Sequence, residues 1–379
     1  MTPARPAVST SLVVGGGIAG AAAAALLARG GVQVDLVEVR TDVYSPDAGI
    51  VLRPNALRIL RDLGVDGSVL ADGFAYGNIG LRGFADGEVV GHVEPPTNDP
   101  DYPPFIGYHR SRLAQELLAR AVALGVEVHS GTSPVSLRQD DGGVDVLLED
   151  DTDRRYDLVV GADGIRSWTR RQLGIDVETT RNEVAAWRAL LPRPDSVTRS
   201  ELYVTGPRLL IGCAPAGQDT VNAFVLERLE EAPTSGEAKS ARTMRELTTD
   251  YHGLWDDIRS QILDDTPIYY MRFETHSLPA PWHRGRVVLI GDAVHAAPPT
   301  IGQGIALALE DASVLAEVVL ASDGLDDQMW ESYHARRGAR VEETMATTRA
   351  WSKALISGDP IDLQRLLGQM SRRLDDEPA

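Results

Sequence analysis

Residues 287–311 read VVLIGDAVHAAPPTIGQGIALALED, and the fold turns on them. The apolar run Val287–Ile290 spells a buried strand that stops at Gly291-Asp292. A strand ending on a carboxylate presents that acid at the edge where open α/β sheets bind ligands. Pro298-Pro299 then holds the chain extended. Gly302 and Gly304 follow, and the pattern predicts a long helix from Ile305 onward. Glycines at a helix start let a ligand approach free N–H groups at the positive end of the dipole. One stretch thus offers an acid for hydroxyls and a helix N-terminus for negative charge.

A second such stretch opens the chain. Ser11–Val14 predicts a strand, Gly15-Gly16-Gly17-Ile18-Ala19-Gly20 follows, and an Ala/Leu helix runs to Arg29. The next strand, Val32–Val37, ends at Glu38, eighteen residues past Gly20. This is GxGxxG in its βαβ setting. Gly15 would permit the tight turn, Gly17 would admit a pyrophosphate, and Gly20 would let helix pack on strand. Glu38 would accept hydrogen bonds from a ribose, and Arg40 would meet the adenosine or pyrophosphate. A third strand, Asp157–Val160, runs into Gly161-Ala162-Asp163-Gly164. Three distant strands that end on glycine and acid suit one extended ligand gripped by separate segments.

Between these stretches the pattern changes. Gly49-Ile50 reads as a loop before a helix that Pro54 opens and Gly64 closes. Residues 70–107 lose helical periodicity and read as short strands. His109-Arg110 opens another helix, and Val126–Val128 and Val144–Leu148 flank a hairpin that turns at Asp140–Gly143. Residues 177–273 read as mostly β, with a helical insert over 236–263. Leu325–Ile356 reads as one long helix and Leu363–Leu374 as a short one. The expected class is α/β. A Rossmann-like domain is assembled from residues 11–69, 106–176 and 276–325. A β-rich substrate domain takes 70–105 and 177–275, and C-terminal helices take 326–379.

Composition narrows the function. The net charge of −18 argues against nucleic acid and anionic membranes as partners. A single cysteine, Cys213, excludes an internal disulfide or a multi-cysteine metal site and reads as a small buried residue. The apolar run 12–28 contains three consecutive glycines, unlike a signal-peptide core. No other run reaches the roughly 18 apolar residues of a membrane helix. The expectation is a cytoplasmic, soluble protein, monomer or homodimer, without a metal.

Taken together, Gly15/Gly17/Gly20 with Glu38, Asp163-Gly164, and Gly291-Asp292 continuing to Pro298-Pro299 and Gly302-Gln303-Gly304 resemble the FAD-dependent aromatic hydroxylases, the class A flavoprotein monooxygenases of the p-hydroxybenzoate hydroxylase-like family. His109-Arg110 with Leu113 matches that family's arginine helix. The resemblance spans residues 11–340. It implies FAD, with NADH or NADPH as a transient co-substrate, since no second GxGxxG is present. It implies O2 activation through a flavin C4a-hydroperoxide and hydroxylation of a small aromatic or heteroaromatic substrate. It places the loop residues Ile18 and Ala19 at the cofactor, Glu38 on the adenosine ribose, and Arg110 near the pyrophosphate or ribityl chain. Asp163 falls between FAD and nicotinamide, and Gly291-Asp292 at a ribityl hydroxyl. Gly304 and Ile305 face the flavin O2 side, Gly302 belongs to the cofactor loop, and Pro299 lies over the flavin near the substrate. Where the family often has Asn, this chain has Ala306.

The substrate side is less determined. Trp187, Arg188, Tyr203, Tyr269 and Tyr270 fall on strands of the β-rich domain; of these Trp187, Tyr203 and Tyr270, together with Ile50, are the expected pocket residues. No side-chain base is identified. His295 reads as a packed structural histidine. The same fold also serves epoxidation, oxidative decarboxylation and antibiotic inactivation, or flavin binding without turnover. No WxWxIP segment signals halogenation.

Overall fold

The structure is a computed structural model that describes residues 8–41, 47–94, 99–204, 206–229 and 240–357. The helix expected at 363–374 and the start of the insert expected from Gly236 lie outside them.

Five parallel strands form the first layer: β1 (Thr10–Val14), β2 (Gln33–Glu38), β8 (Glu127–Ser130), β12 (Leu158–Gly161) and β19 (Val287–Leu289). With the antiparallel β18 (His283–Arg284) the order is β18-β19-β12-β1-β2-β8. While the edge strand β8 is only half-buried, the Val/Leu-rich centres of β1, β2, β12 and β19 are buried, as a sheet covered on both faces requires. Helices α1 (Ile18–Arg29), α4 (Arg110–Ala123) and α8 (Gly304–Ala321) cover it. The nearly all-alanine face of α1 lets α8 lie close against it. A meander, β9 (Pro134–Asp140), β10 (Gly143–Leu148) and β11 (Asp153–Tyr156), packs nearby.

The expected hairpin is corrected here. Its turn is right: Asp140 Oδ1 accepts from the Gly142 and Gly143 N–H groups at 2.7 and 3.1 Å. Its first strand is β9, however, and residues 127–130 instead extend the parallel sheet beside β2. The loop at Gly49-Ile50 is also corrected. Residues Gly49–Leu52 form β3, antiparallel to β7 (Phe105–His109), with β4 (Phe74–Tyr76) on the other side. A partner nearly sixty residues away leaves no local signal. Helix α2 (Pro54–Leu63) starts at its proline and stops at Gly64 in the left-handed region, and α3 (Asp66–Asp72) follows.

The second large sheet has eight strands. Its order is β20 (His295–Ala296), β17 (Tyr269–Ser277), β13 (Thr180–Pro192), β16 (Thr220–Arg228), β15 (Leu210–Pro215), β14 (Ser200–Tyr203), β5 (Ile79–Arg82) and β6 (Val89–Val93). One face carries its own core beneath α6 (Ala241–Leu247) and α7 (Leu254–Ser260). The other packs around Ile301 and the end of α9 (Asp327–Ser357). The short α5 (Trp168–Gln172) follows β12. No described helix is long and apolar enough to cross a membrane.

Candidate active site

Four of the parallel strands deliver their C-terminal ends to one edge, in the order β19, β12, β1, β2. Asp292, Asp163, Gly15 and Glu38 therefore line up along it. Three strand spacings separate the outermost strands, roughly 14 Å. The edge residues are locked across strands: the Gly15 N–H donates to Val37 O at 2.8 Å, Ala162 to Val14 O at 2.8 Å, and Ile290 to Gly161 O at 3.0 Å.

The three glycines of GxGxxG are required for different reasons. Gly15 has φ +107°, and a Cβ there would lie 2.5 Å from Ala162 O. A Cβ on Gly20 would lie 1.9 Å from Gly15 O, so helix and strand could not meet. A Cβ on Gly17 would meet nothing within 4 Å, and no side chain caps α1 there. Gly17 thus opens a cradle at a free helix N-terminus, with Ile18 and Ala19 in the first turn. Glu38 reaches back to this loop: its carboxylate accepts from Gly16 N–H at 2.8 Å and from Arg40 N–H at 2.9 Å. Arg40 itself is exposed.

The other end of the edge is built similarly. Gly291–Ala293 make one 3-10 turn and Pro299–Ile301 another, ending at Gly302 with φ +65°. Gly302 and Gly304 face open space, and no side chain caps α8, so the first-turn N–H groups, with Ile305 among them, have no intrahelical acceptor. Asp292 reaches solvent, yet burial pushes its carboxyl up, opposed by His295 and Arg110. Both hold for an acid on a crevice wall, wet on one side and enclosed by protein on the rest. Arg110, the first residue of α4, is thereby brought to Asp292. Its N–H donates to Ala48 O at 2.9 Å, and Asp47 fastens the same helix end, accepting from Ser111 N–H at 2.9 Å and holding His109 Nδ1 at 2.7 Å. Burial would raise the Asp47 carboxyl, but His109 and Ser111 outweigh it and hold it down at about 2.

Asp163 has its carboxylate committed within its own loop. It accepts from Ser167 Oγ, from Thr169 N–H at 2.8 Å and from Thr169 Oγ1 at 2.9 Å, which fixes the start of α5. From that helix Arg170 donates to Ala293 O at 2.9 Å, so the Asp163 loop and the Asp292 turn are tied together. His276 adds a 3.0 Å contact from its Nε2 to Asp292 O. Burial, then Arg170, pushes His276 down to about 4; it is neutral and donates through Nε2.

Behind the turn lies a charge network without solvent contact. Asp311 accepts from Gly291 N–H at 2.9 Å, from His295 Nε2 at 2.6 Å and from Arg337 Nε at 2.8 Å. Arg337 Nη1 donates to Glu310 at 2.8 Å, and Asn55 Nδ2 links Glu310 at 3.0 Å to Gln303 at 3.1 Å. Asp311, Glu310 and Arg337 are each 0 % exposed. Burial opposes ionisation of Asp311, but His295 and Arg337 hold it down at about 2. His295 is thus a packed structural residue. Arg170, Asp47, Asp311 and Arg337 were not singled out in the sequence; adjacent acids inside the apolar run of α8 are the one legible signal.

The expected pocket residues are corrected. Trp187 and Tyr203 are fully buried in the core under α6 and α7, and Tyr270 packs against it. Trp187 Nε1 donates to Glu227 at 2.7 Å and Tyr203 OH to His252 O at 2.8 Å. Strand alternation turns all three away from the crevice. Ile50 is half-buried on β3, against the main core. Cys213 is fully buried, which pushes its thiol up to about 12.

The donor set fits FAD. Two uncapped helix N-termini flank the edge, three glycines leave room where a Cβ would stand, and Gln303 Nε2 and Thr300 Oγ1 are buried without a partner among the described residues. The sequence matches the FAD binding domain family over residues 8–348. It is 32% identical over 370 residues to 2-heptyl-3-hydroxy-4(1H)-quinolone synthase of Mycobacteroides abscessus, covering 95% of this chain and 94% of that protein. It is 27% identical over 357 residues to 3-hydroxybenzoate 6-hydroxylase of Polaromonas naphthalenivorans, covering 91% and 88%. Among solved structures, PqsL of P. aeruginosa in complex with 2-aminobenzoylacetate superposes with a TM-score of 0.84 at 24% identity, covering 95% of this chain and 99% of that one. At that identity the likeness speaks for the fold alone. The glycine cradle, the Asp292 crevice and the match over residues 8–348 lead to one conclusion: the chain belongs to the FAD-binding family of flavoprotein monooxygenases and is an FAD-dependent enzyme of that kind.

Proposed function

We propose that the protein hydroxylates an aromatic or heteroaromatic small molecule, using NADH or NADPH and O2. Supporting this reading is the placement of Asp292 and the free N-terminus of α8 opposite the second sheet, so that a flavin ring between them would have a polar edge on one side and a substrate face on the other. The curated relatives include 3-hydroxybenzoate 6-hydroxylase and 3-amino-4-hydroxybenzoate 2-monooxygenase, both acting on aromatic rings by their names. FAD, when bound, supplies the two-electron chemistry that activates dioxygen.

The chain's own residues bind and orient. Gly17 and the α1 N-terminus would hold the pyrophosphate, and Glu38 would accept from the adenosine ribose. Asp292 accepts from a ribityl hydroxyl, while Arg110 balances its charge. The first N–H groups of α8, at Gly304 and Ile305, would hold the pyrimidine side of the flavin and would favour negative charge there. Pro299 and Ile301 close over the ring and exclude water. Asp163 holds its loop where a nicotinamide would approach. In this reading residues 11–69, 106–176 and 276–325 hold the cofactor, 70–105 and 177–275 cover the substrate, and the described part of 326–379, helix α9, braces both.

Anaerobic mixing of the FAD-loaded protein with NADH or NADPH tests the proposal. Bleaching of the flavin that an aromatic compound accelerates, followed by oxygen uptake matched to hydroxylated product, is the expected result. Flavin that no nicotinamide reduces, with any aromatic present, would overturn it in favour of a flavin-holding protein.

A further inference from the structure

Helix α9 buries one stripe along its length: Arg337, Val341, Thr344, Thr348, Trp351 and Leu355 recur every three or four residues. Arg337 bonds Asp311 and Glu310 behind the cofactor turn. Trp351 comes fourteen residues later, roughly 21 Å along the axis. The helix also lies against Pro299–Ile301 and against β13. Trp351 shares one cluster with Ile301 and with Val184, Ala186 and Phe273 of the second sheet. On β13, Trp187 and Ala189 enter the core under α6 and α7, so Val184 and Ala186 belong to the opposite face, the one turned to the crevice. The last turns of α9 thus stand where the loop assigned above to the flavin meets the substrate-side sheet.

Two neighbouring donors there are left open. A hydroxyl on a helix commonly returns to the carbonyl one turn back. In α9, Thr344, Thr347 and Thr348 do so, donating to Arg340 O, Glu343 O and Thr344 O at 2.9, 2.9 and 2.8 Å. Ser352 departs from the pattern: its Oγ is buried and has no partner among the described residues. The same holds for Trp351 Nε1, beside it in sequence. Trp351 is 3 % and Ser352 7 % exposed, so bulk solvent does not serve them. A buried indole N–H without an acceptor is costly. Openness alone does not single them out, since Trp255 Nε1 is also open, in the core under α6 and α7. Trp351 differs in its place beside Ile301, and in having a second open donor next to it. Both donors are uncharged and stand in an apolar wall. Such a wall suits an uncharged oxygen, whereas a carboxylate would lose its water there without gaining a counter-charge.

We infer that the end of α9 belongs to the substrate site: Trp351 Nε1 donates to an uncharged oxygen on the ring, a carbonyl or a hydroxyl, with Ser352 Oγ as a second partner for the same part of the molecule. The inference rests on the aromatic substrate proposed above. It makes both residues determinants of specificity. A ring without that oxygen is rejected because it leaves two buried donors empty.

Titration of the FAD-loaded protein with matched rings at neutral pH, read by perturbation of the flavin absorbance, tests it. The carbonyl arm compares 4-quinolone with quinoline, and the hydroxyl arm compares 1-naphthol with naphthalene. At least one oxygenated ring should bind about tenfold or more tighter than its oxygen-free partner. Trp351→Phe keeps an aromatic ring and removes the N–H. It should weaken the oxygenated ring about tenfold, while the oxygen-free partner and FAD each stay within about twofold of wild type. Ser352→Ala should weaken the oxygenated ring about threefold with the same two controls unchanged. An oxygen preference absent from the wild type, or undiminished in both variants, would overturn the inference alone. So would an equal loss of both partners in each variant, which would leave the two residues a packing role. Binding of ionised rings such as 3-hydroxybenzoate, with no response to any uncharged ring, would also overturn it while sparing the aromatic reading. A wild-type flavin that responds to no aromatic at all would overturn both.

Discussion

Two sets of buried polar groups sit within reach of the same crevice, and they are finished to different degrees. Between α8 and α9 the buried charges meet their opposites: Asp311 has His295 and Arg337, and Glu310 has Arg337, with an amide bond from Asn55. On the facing sheet and the α8 entry, Arg188, Asn222, Thr300 and Gln303 each keep a buried atom without a partner among the described residues. The first set pairs its charges without a ligand, although His295 Nδ1 and Asn55 Oδ1 have no partner among the described residues, and it belongs to the scaffold. The second is complete only with a ligand. Buried polar groups point to a binding site when several unfinished ones line the same crevice, not merely because they are buried.

This contrast can be broken most forcefully at Arg337. Arg337→Met should leave Asp311 and Glu310 buried without their main partner and cost about 3–5 kcal/mol of stability. Chemical denaturation of the FAD-free protein would read it, and a loss under about 1 kcal/mol would show that the network is not a scaffold. Gly20→Ala comes next: its Cβ has no room against Gly15 O, and about 1–3 kcal/mol should be lost whether or not FAD is present. Gly17→Ala sharpens the comparison. It should fold with wild-type stability, because nothing lies within 4 Å of the new methyl, yet hold FAD about tenfold less tightly by fluorescence titration. Asp292→Ala should likewise weaken FAD by about 1–3 kcal/mol while sparing the fold; unchanged flavin retention would remove it from the site.

The smallest effect is on pH. Burial and Arg170 hold His276 down at about 4, and burial and His283 do the same to His334. Between pH 6.5 and about 4 the unfolded chain takes up protons that these two folded histidines do not, so stability should fall as the pH drops through that window. His295 has the opposite sign. Its pKa is raised, Asp311 outweighing burial, so its contribution is lost as the pH rises past 6.5. The thermal midpoint should therefore decline on the acid side, and His334→Gln should flatten that decline. An acid limb of unchanged slope in His334→Gln would count against the assignment.

The cofactor edge was legible because its signals are local. A glycine and an acid at a strand's end are read from a few neighbouring residues, and Gly15, Glu38, Asp163 and Asp292 all came to one edge in this way. What was not legible depended on partners far along the chain. The strand at Gly49–Leu52 exists only because Phe105–His109 lies beside it. Arg337 gives no sign that it faces Asp311 until α8 and α9 pack together. The pocket residues fall between these cases. Trp187 and Arg188 are adjacent on one strand, so alternation forbids both from facing the flavin, but it does not say which one does. That choice is made by α6 and α7, which cover the tryptophan side.

Helix α9 has one further consequence. Its 31 residues span roughly 46 Å. Early on it delivers Arg337 to the turn behind Asp292; near its end Trp351 and Leu355 cover the sheet that bears Arg188. A single rod thus spans both halves of the catalytic chamber. Clipping the chain ahead of Arg337 would not release a smaller working flavoprotein: it would strip the cofactor bed of its counter-charge and lay bare a greasy wall in the same cut. The flavin side and the substrate-side sheet therefore share one helix as a common support.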